Sequence, residues 1–267
     1  MNQLFNRTLI IKQKNKALKN WKEHNYLYNL VANILYEKIN ELKENFNNIL
    51  FLSSDCFELL DAHRFKFKNM ILVSEYIDLL KAVKNSEKRM GKINANFENL
   101  RLKKNKFDLV IVNLCLHKIN NVQDFCSNLL SLLEPKGLLI CSYFGGKSLI
   151  ELRNSLLLAD DKLKKKSYQR IIPFIDMVDA TSIFQKVGFK EIVSDNTKMK
   201  INYNSLRKLL NDIKGMGENN CLRDGYKGLL SKKFLRETEK IYKTNFSNKL
   251  GELFVTCEII TLVMWKY

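Results

Sequence analysis

Residues 106–117 read KFDLVIVNLCLH. From Leu109 to Val112 every side chain is aliphatic, and Phe107, Leu114 and Leu116 extend the run. A strand with one wet face alternates apolar and polar positions, whereas a strand covered on both faces need not. The stretch therefore predicts a parallel strand at the centre of a sheet. On its C-terminal side, NVQDFCSNLLSLLEPKG (121–137) predicts a helix closed by Pro135 and Gly137, and LLICSYF (138–144) a fifth strand. On its N-terminal side, NNILFLSS (47–54), NMILVSE (69–75) and GKINANFENL (91–100) predict three earlier strands. CFELLDAHRF and YIDLLKAV, between these strands, predict helices. Alternating strands and helices predict a Rossmann-like α/β fold, a mainly parallel, doubly wound sheet with helices on both faces.

The flanks read as helical additions. LYNLVANILYEKINELK (27–43) predicts an amphipathic helix with Leu27, Leu30, Val31, Ile34 and Leu35 on one face, continued by Ile39 and Leu42. LIELRNSLLLAD (149–160) predicts a helix with Leu149, Leu152 and Leu156 on one side. A helix over about 176–187 stops at Gly188, and FKEIVSD and KMKINY follow as two short strands. SLRKLLNDIKGMG (205–217) turns Leu206, Leu209, Leu210 and Ile213 inward before Gly215 and Gly217 end it. A helix over about 231–243 and a terminal strand, LFVTCEIITLVMWKY, complete the chain. There is no repeat, low-complexity tract or linker. The expectation is one domain: a helical segment over 1–46, the core over 47–200, and helices with the last strand over 201–267.

The 267 residues are 46% hydrophobic, enough to bury a full core, and carry a formal charge of +17. Such charge suits nucleic acid or an anionic surface. The lysines, however, are dispersed along the chain, and no predicted strand shows an exposed aromatic pair for stacking bases. No specific nucleic-acid partner is expected, and the densest cluster, DKLKKKSYQR (161–170), reads as a solvated loop. Six cysteines show no metal-ligand spacing and read as buried free thiols in a reducing compartment. His24, His63 and His117 are scattered, so no metal site is expected. No apolar run approaches the ~18 residues of a membrane span.

In the stretch ILFLSSDCFELL (49–60), a first strand runs into a first helix, where a nucleotide-binding fold usually has a glycine-rich turn. Here there is none, and the first glycine of the chain is Gly91.

FDLVIVNLCLHKINNVQDFCSNLLSLLEPKGLLICSYFGG resembles the second half of a class I methyltransferase of the type 11 group. SLIELRNSLLLAD (148–160), IIPFIDMVDATSIFQKVGF (171–189), INYNSLRKLLNDIKGMGENN (201–220) and the terminal MWKY narrow the resemblance to one branch. That branch contains the methyltransferase-like assembly factor of respiratory complex I and its bacterial relatives. LFNRTLIIKQKNKAL (4–18) resembles the branch's opening segment. The basic N-terminus then reads as family sequence rather than a transit peptide. The expectation is a bacterial cytoplasmic protein, at most peripheral at the inner membrane.

The resemblance implies S-adenosylmethionine as cofactor, bound over the C-terminal edge of the sheet. Laid on the family's DxGCGxG turn, the acidic position becomes Phe51, and the glycine positions become Ser53, Asp55 and Phe57. Phe57 is bulky where the backbone should open, and Asp55 would repel the ligand's own carboxylate. The implied cofactor-contacting positions are Ser53, Asp55, Glu75, Asn96, Asn113 and Leu114. Among them Glu75 takes the ribose hydroxyls and Asn96 the adenine amino group. His117, Arg153 and Arg170 are the implied substrate or partner surface, with His117 read as a surface histidine. The implied function is complex I assembly through hydroxylation of an arginine on a quinone-module subunit. With the glycine turn gone, the chain acts either as an enzyme or as a binding scaffold. The alternative is an active methyltransferase acting on a small molecule or on an acid bound to a carrier protein, as in biotin synthesis. A nucleic-acid binder is a third class, suggested by charge alone.

Overall fold

The computed structural model describes residues 3–42, 45–54, 66–83, 90–226 and 228–267. The expected helix over CFELLDAHRF, with Asp55, Cys56, Phe57 and His63, lies outside them.

Helix α1 (Arg7–Ala17) leads through a 3₁₀ segment (Leu18–Glu23) to α2 (Tyr26–Leu42). Then come β1 (Asn45–Ser53), β2 (Lys66–Ser74), α3 (Ile77–Ala82), β3 (Met90–Asn94) and β4 (Phe107–Asn113). Next are α4 (Val122–Leu132), β5 (Leu133–Phe144), α5 (Ile150–Lys164) and α6 (Met177–Val187). The chain ends with β6 (Lys190–Tyr203), α7 (Leu206–Gly215), α8 (Lys232–Asn245) and β7 (Leu253–Trp265).

The seven strands form one sheet in the order β3-β2-β1-β4-β5-β7-β6. β1 pairs in parallel with β2 and β4, β2 with β3, and β4 with β5, while β7 runs antiparallel to both β5 and β6. This is the Rossmann-like, mostly parallel sheet that the apolar run predicted, with β4 at its centre. All seven β4 residues are buried. Ile49, Phe51, Leu109 and Ile111 pack on one face with α1 and α2, while Leu50, Leu52, Val110 and Val112 pack on the other with α4 and α6. Each fully buried aliphatic side chain there contributes about 1.5–3 kcal/mol. Caps set the helix starts: the side chains of Asn6, Asn121, Ser205 and Ser231 accept from Leu9 N, Asp124 N, Lys208 N and Phe234 N. Gly188, at φ +121°, ends α6.

Several boundaries depart from the sequence expectation. FKEIVSD and KMKINY form one strand, β6, because β7 offers a continuous partner from Trp265 to Leu253. The polar Asn196 and Thr197 between them need no interruption, since an edge strand tolerates polar side chains. Helix α4 ends at Leu132, and Pro135 and Gly137 already lie in β5, where Leu133 pairs with Phe107 before a register shift to Leu109↔Leu138. The strand predicted over 91–100 stops at Asn94, and Phe97–Asn99 form a 3₁₀ turn. On α2 the buried face is Leu27, Tyr28, Val31, Ala32, Leu35 and Ile39, whereas Leu30 and Leu42 are exposed. The basic stretch 161–170 is only partly loop, for α5 runs to Lys164 and Arg170 is buried. The five described cysteines are buried free thiols. Among the described residues, no helix is long and apolar enough to cross a membrane.

Candidate functional site

The C-terminal ends of β1, β2 and β4 converge on one edge of the sheet. Ser53 and Ser54, at the end of β1, are buried, and Ser54 Oγ donates to Leu114 O at 2.9 Å. Asn113 closes β4 with both ends of its amide engaged. Its Oδ1 accepts from Ser142 Oγ at 2.9 Å, and its Nδ2 faces Ser53 Oγ at 3.4 Å. Leu114 then turns the chain at φ +50°, a left-handed angle unusual for a branched residue, with its N–H bonded to Ser142 O.

Glu75, just beyond β2, is buried, and its Oε1 accepts from Phe97 N at 2.9 Å. Its Oε2 is ion-paired with the Arg7 guanidinium from the first turn of α1. Arg7 also donates to Lys118 O at 2.8 Å and lies 3.6 Å from Glu98 Oε1. The strap before α1 is tied down on both sides. Phe5 N donates to Asn120 Oδ1 at 2.7 Å, Asn6 N to Cys221 O at 2.9 Å, and Arg223 N to Leu4 O at 3.0 Å. Asn96 is exposed and caps the Phe97–Asn99 turn, accepting from Glu98 N at 2.8 Å.

This edge tests the implied cofactor. Of the Glu75 carboxylate, Oε1 accepts from Phe97 N and Oε2 faces the Arg7 guanidinium, and each oxygen keeps a further lone pair. Phe51, laid on the cofactor's acid, is a core side chain. Asp55 and Phe57 lie outside the described residues. Glu75 keeps, at the end of β2, the carboxylate to which the resemblance assigns the ribose hydroxyls, with the Arg7 guanidinium beside it.

Beside this edge lies a buried polar cluster centred on Glu218. Its carboxylate accepts from Tyr28 OH at 2.7 Å, lies 2.7 Å from Lys118 Nζ and 3.9 Å from Lys14 Nζ, and lies 3.2 Å from His117 Nε2. Burial alone would raise its pKa, but Lys118, the His117 contact and Lys14 together hold it well below the usual carboxylate range. His117 is buried, contrary to the surface position expected, because Phe144 and Phe174 enclose its ring at 5.0 and 5.9 Å. Burial lowers the His117 pKa, so its imidazole is neutral and donates Nε2–H to Glu218.

Three cavities run outward from Glu218. The innermost is a slot of about 40 Å³ between α2, α7 and β7, lined by Phe144, Phe174, Tyr203, Ile213, Glu218 and Cys257 among others. The second, of about 340 Å³, lies between α5, the 170–174 segment, α7 and the 218–230 segment, and it shares Leu149, Phe174, Ile213 and Glu218 with the slot. The third, of about 260 Å³, shares Leu156, Arg170 and Ile171 with the second and is lined by Arg153 and Tyr168. Arg170 holds Asp160 in a bidentate pair at 2.6 and 2.7 Å, with its guanidinium 3.8 Å from the centre of the Tyr226 ring.

The structure thus brings Ser53 and Asn113 into contact, with Leu114 and Glu75 on the same edge. It sets Asn96 at the surface, and Arg153 and Arg170 around the outer cavity. Sequence reasoning missed Arg7, Lys14, Lys118 and Glu218. The signal for Glu218 was present in GMGENN (215–220), which reads first as a helix stop.

A family described as "Methyltransferase domain" matches residues 56–141. The chain is 29% identical over 272 residues to the human mitochondrial arginine-hydroxylase NDUFAF5, an alignment spanning 99% of this chain and 77% of that protein. It is 30% identical over 153 residues to malonyl-[acyl-carrier protein] O-methyltransferase 1 of Coxiella burnetii, covering 57% of this chain and 51% of that one. Among solved structures, the YcgJ protein of Bacillus subtilis superposes with a TM-score of 0.60 at 11% identity, over 88% of this chain and 97% of that chain.

Proposed function

For a chain that carries a class I methyltransferase domain and is a distant relative of the NDUFAF5 arginine hydroxylases, we propose a role in complex I (NADH dehydrogenase) assembly, acting on an arginine of a quinone-module subunit, with weakened binding of S-adenosylmethionine. The supporting observation is where the branch-specific segments meet. Residues from 148–160, 171–189 and 201–220 together wall the inner two cavities, as Leu149, Phe174, Ile213 and Glu218 illustrate. Three segments that carry the resemblance to the branch therefore wall one cleft beside the sheet edge. An apolar cleft with a few placed polar groups suits a long side chain presented by a protein.

Weakened cofactor binding rests on Arg7 and Glu75. When bound, S-adenosylmethionine supplies an activated methyl group on a sulfonium but no oxidant, so adding an oxygen to arginine would take dioxygen and two electrons from an external reductant, with water as the other product. In this chain the ribose would compete with a guanidinium for a buried carboxylate. The test has two arms. Titration of S-adenosylmethionine into the purified protein should show affinity weaker than micromolar. Mass spectrometry of a quinone-module subunit, co-produced with and without the chain, should show an arginine that gains an oxygen only in its presence. A gained methyl group would favour a methyltransferase activity instead, and an unmodified subunit would leave only a scaffold.

A further inference from the structure

The two arginines on the outer cavity differ in how their charge is met. Arg170 is matched by Asp160. Arg153, which also lines it, donates Nη2 to Ile172 O at 3.2 Å, and among the described residues no acid stands within ion-pair distance of it. Its remaining N–H groups are available to a ligand. Among the described residues no Asp or Glu lines this cavity, whose floor is Leu156, Leu157 and Ile171, and Ser167, Tyr168 and Gln169 add hydroxyl and amide groups around it. Half-buried without an acidic partner, Arg153 is held below its ordinary pKa by desolvation. An incoming anion would relieve that cost.

From this geometry we infer that the outer cavity is a carboxylate subsite, with Arg153 as its anchor, for an acidic side chain on the same substrate that enters the inner cleft. The inference rests on the cleft being a substrate site. One unmatched guanidinium suits a planar monoanion, which it grips through two parallel N–H bonds, better than a dianionic phosphate. The apolar floor suits the methylenes of a Glu rather than a bare inorganic ion. The position suits a bound segment as well. Leu156, Arg170 and Ile171 form the wall between this cavity and the one containing Glu218, so a chain threaded along the cleft would bring a neighbouring residue to Arg153. Arg170 is a positioning residue here, since its bond to Asp160 and its stacking on Tyr226 hold the shared wall.

The experiment uses the full chain and N-acetyl-glutamate amide, with N-acetyl-glutamine amide as neutral isostere and acetate as carboxylate without a stem. The readout is the Arg153 Nε–Hε resonance, followed with binding isotherms. The glutamate probe should saturate the shift about tenfold more tightly than either control, a difference within one charge-assisted bond. Arg153→Gln should abolish it, and Arg153→Lys should retain weakened binding without the paired geometry. Far-UV circular dichroism and the melting temperature show whether each variant is folded. Equal binding of the glutamine probe, undiminished binding by folded Arg153→Gln, or acetate binding as tightly as glutamate would each overturn the subsite. Because the readout needs neither cofactor nor turnover, failure of the arginine-modification assay alone would sink the proposed function and leave the subsite standing.

Discussion

Over the ends of β1, β2 and β4, polar side chains bond to one another. Over β5, α5 and α7, the walls leave room. Glu75 is held by Arg7 and Phe97 N, and Asn113 by Ser142 and Ser53. Outward from Glu218, in contrast, three cavities open in sequence, and the outermost carries an arginine with no acid at ion-pair distance among the described residues. The same fold thus presents one edge whose polar groups face one another and another side that is open. A buried polar group bonded to its neighbours makes no demand on a ligand, whereas an unmatched charge beside a cavity does.

The largest expected effect is on the open side. Glu218→Ala removes the carboxylate on which Lys14, Lys118 and His117 converge and should cost about 3–5 kcal/mol in urea unfolding, since buried lysines are left uncompensated. If Glu218→Ala is nearly neutral, the cluster does not organise the cleft wall. On the closed side, Arg7→Ala frees Glu75 and should raise S-adenosylmethionine affinity at least about tenfold by calorimetry, or 1.4 kcal/mol. An unchanged or weaker affinity would show that the turn over 53–57, not Arg7, limits binding.

The pH dependence should separate two members of the Glu218 cluster. His117 is neutral in the fold because burial lowers its pKa, so its stabilising contribution is complete above the unfolded histidine value and is lost as pH falls below about 6.5. Glu218, held well below the carboxylate range, adds a further loss below about 4.3 as the unfolded chain takes up protons. His117→Asn should flatten the first loss and leave the second. A slope unaltered by that change would locate the proton uptake elsewhere. The smallest effect concerns Asn96. As a cap, Asn96→Ala should cost about 1 kcal/mol of thermal stability without changing cofactor affinity. A loss of affinity would instead show that it reaches the adenine.

The sequence was most legible where a pattern is local. The aliphatic run at 109–112 placed the central strand because burial on both faces leaves no room for alternation. The helical periodicities of α4 and α7 were readable for the same reason. The breaks were harder to read. Pro135 and Gly137 read as a helix stop, yet they lie within β5, because pairing of Leu133 with Phe107 sets that boundary.

What the sequence determined by itself was the alternation of strands and helices, the absence of a glycine turn at 51–57, and the resemblance to the methyltransferase branch. What the tertiary structure alone decided was which charges meet. Arg7 reaches Glu75 across 68 residues, from a strap bonded to Asn120 and Cys221. Arg170, implied by the resemblance to belong to a substrate or partner surface, is buried in a bidentate pair with Asp160 and lies against the Tyr226 ring. Hydrophobic pattern is written along the chain, residue beside residue. An ion pair is written only in space, because its partners share no local period and come together only after the sheet and its helices have fixed the edges they stand on.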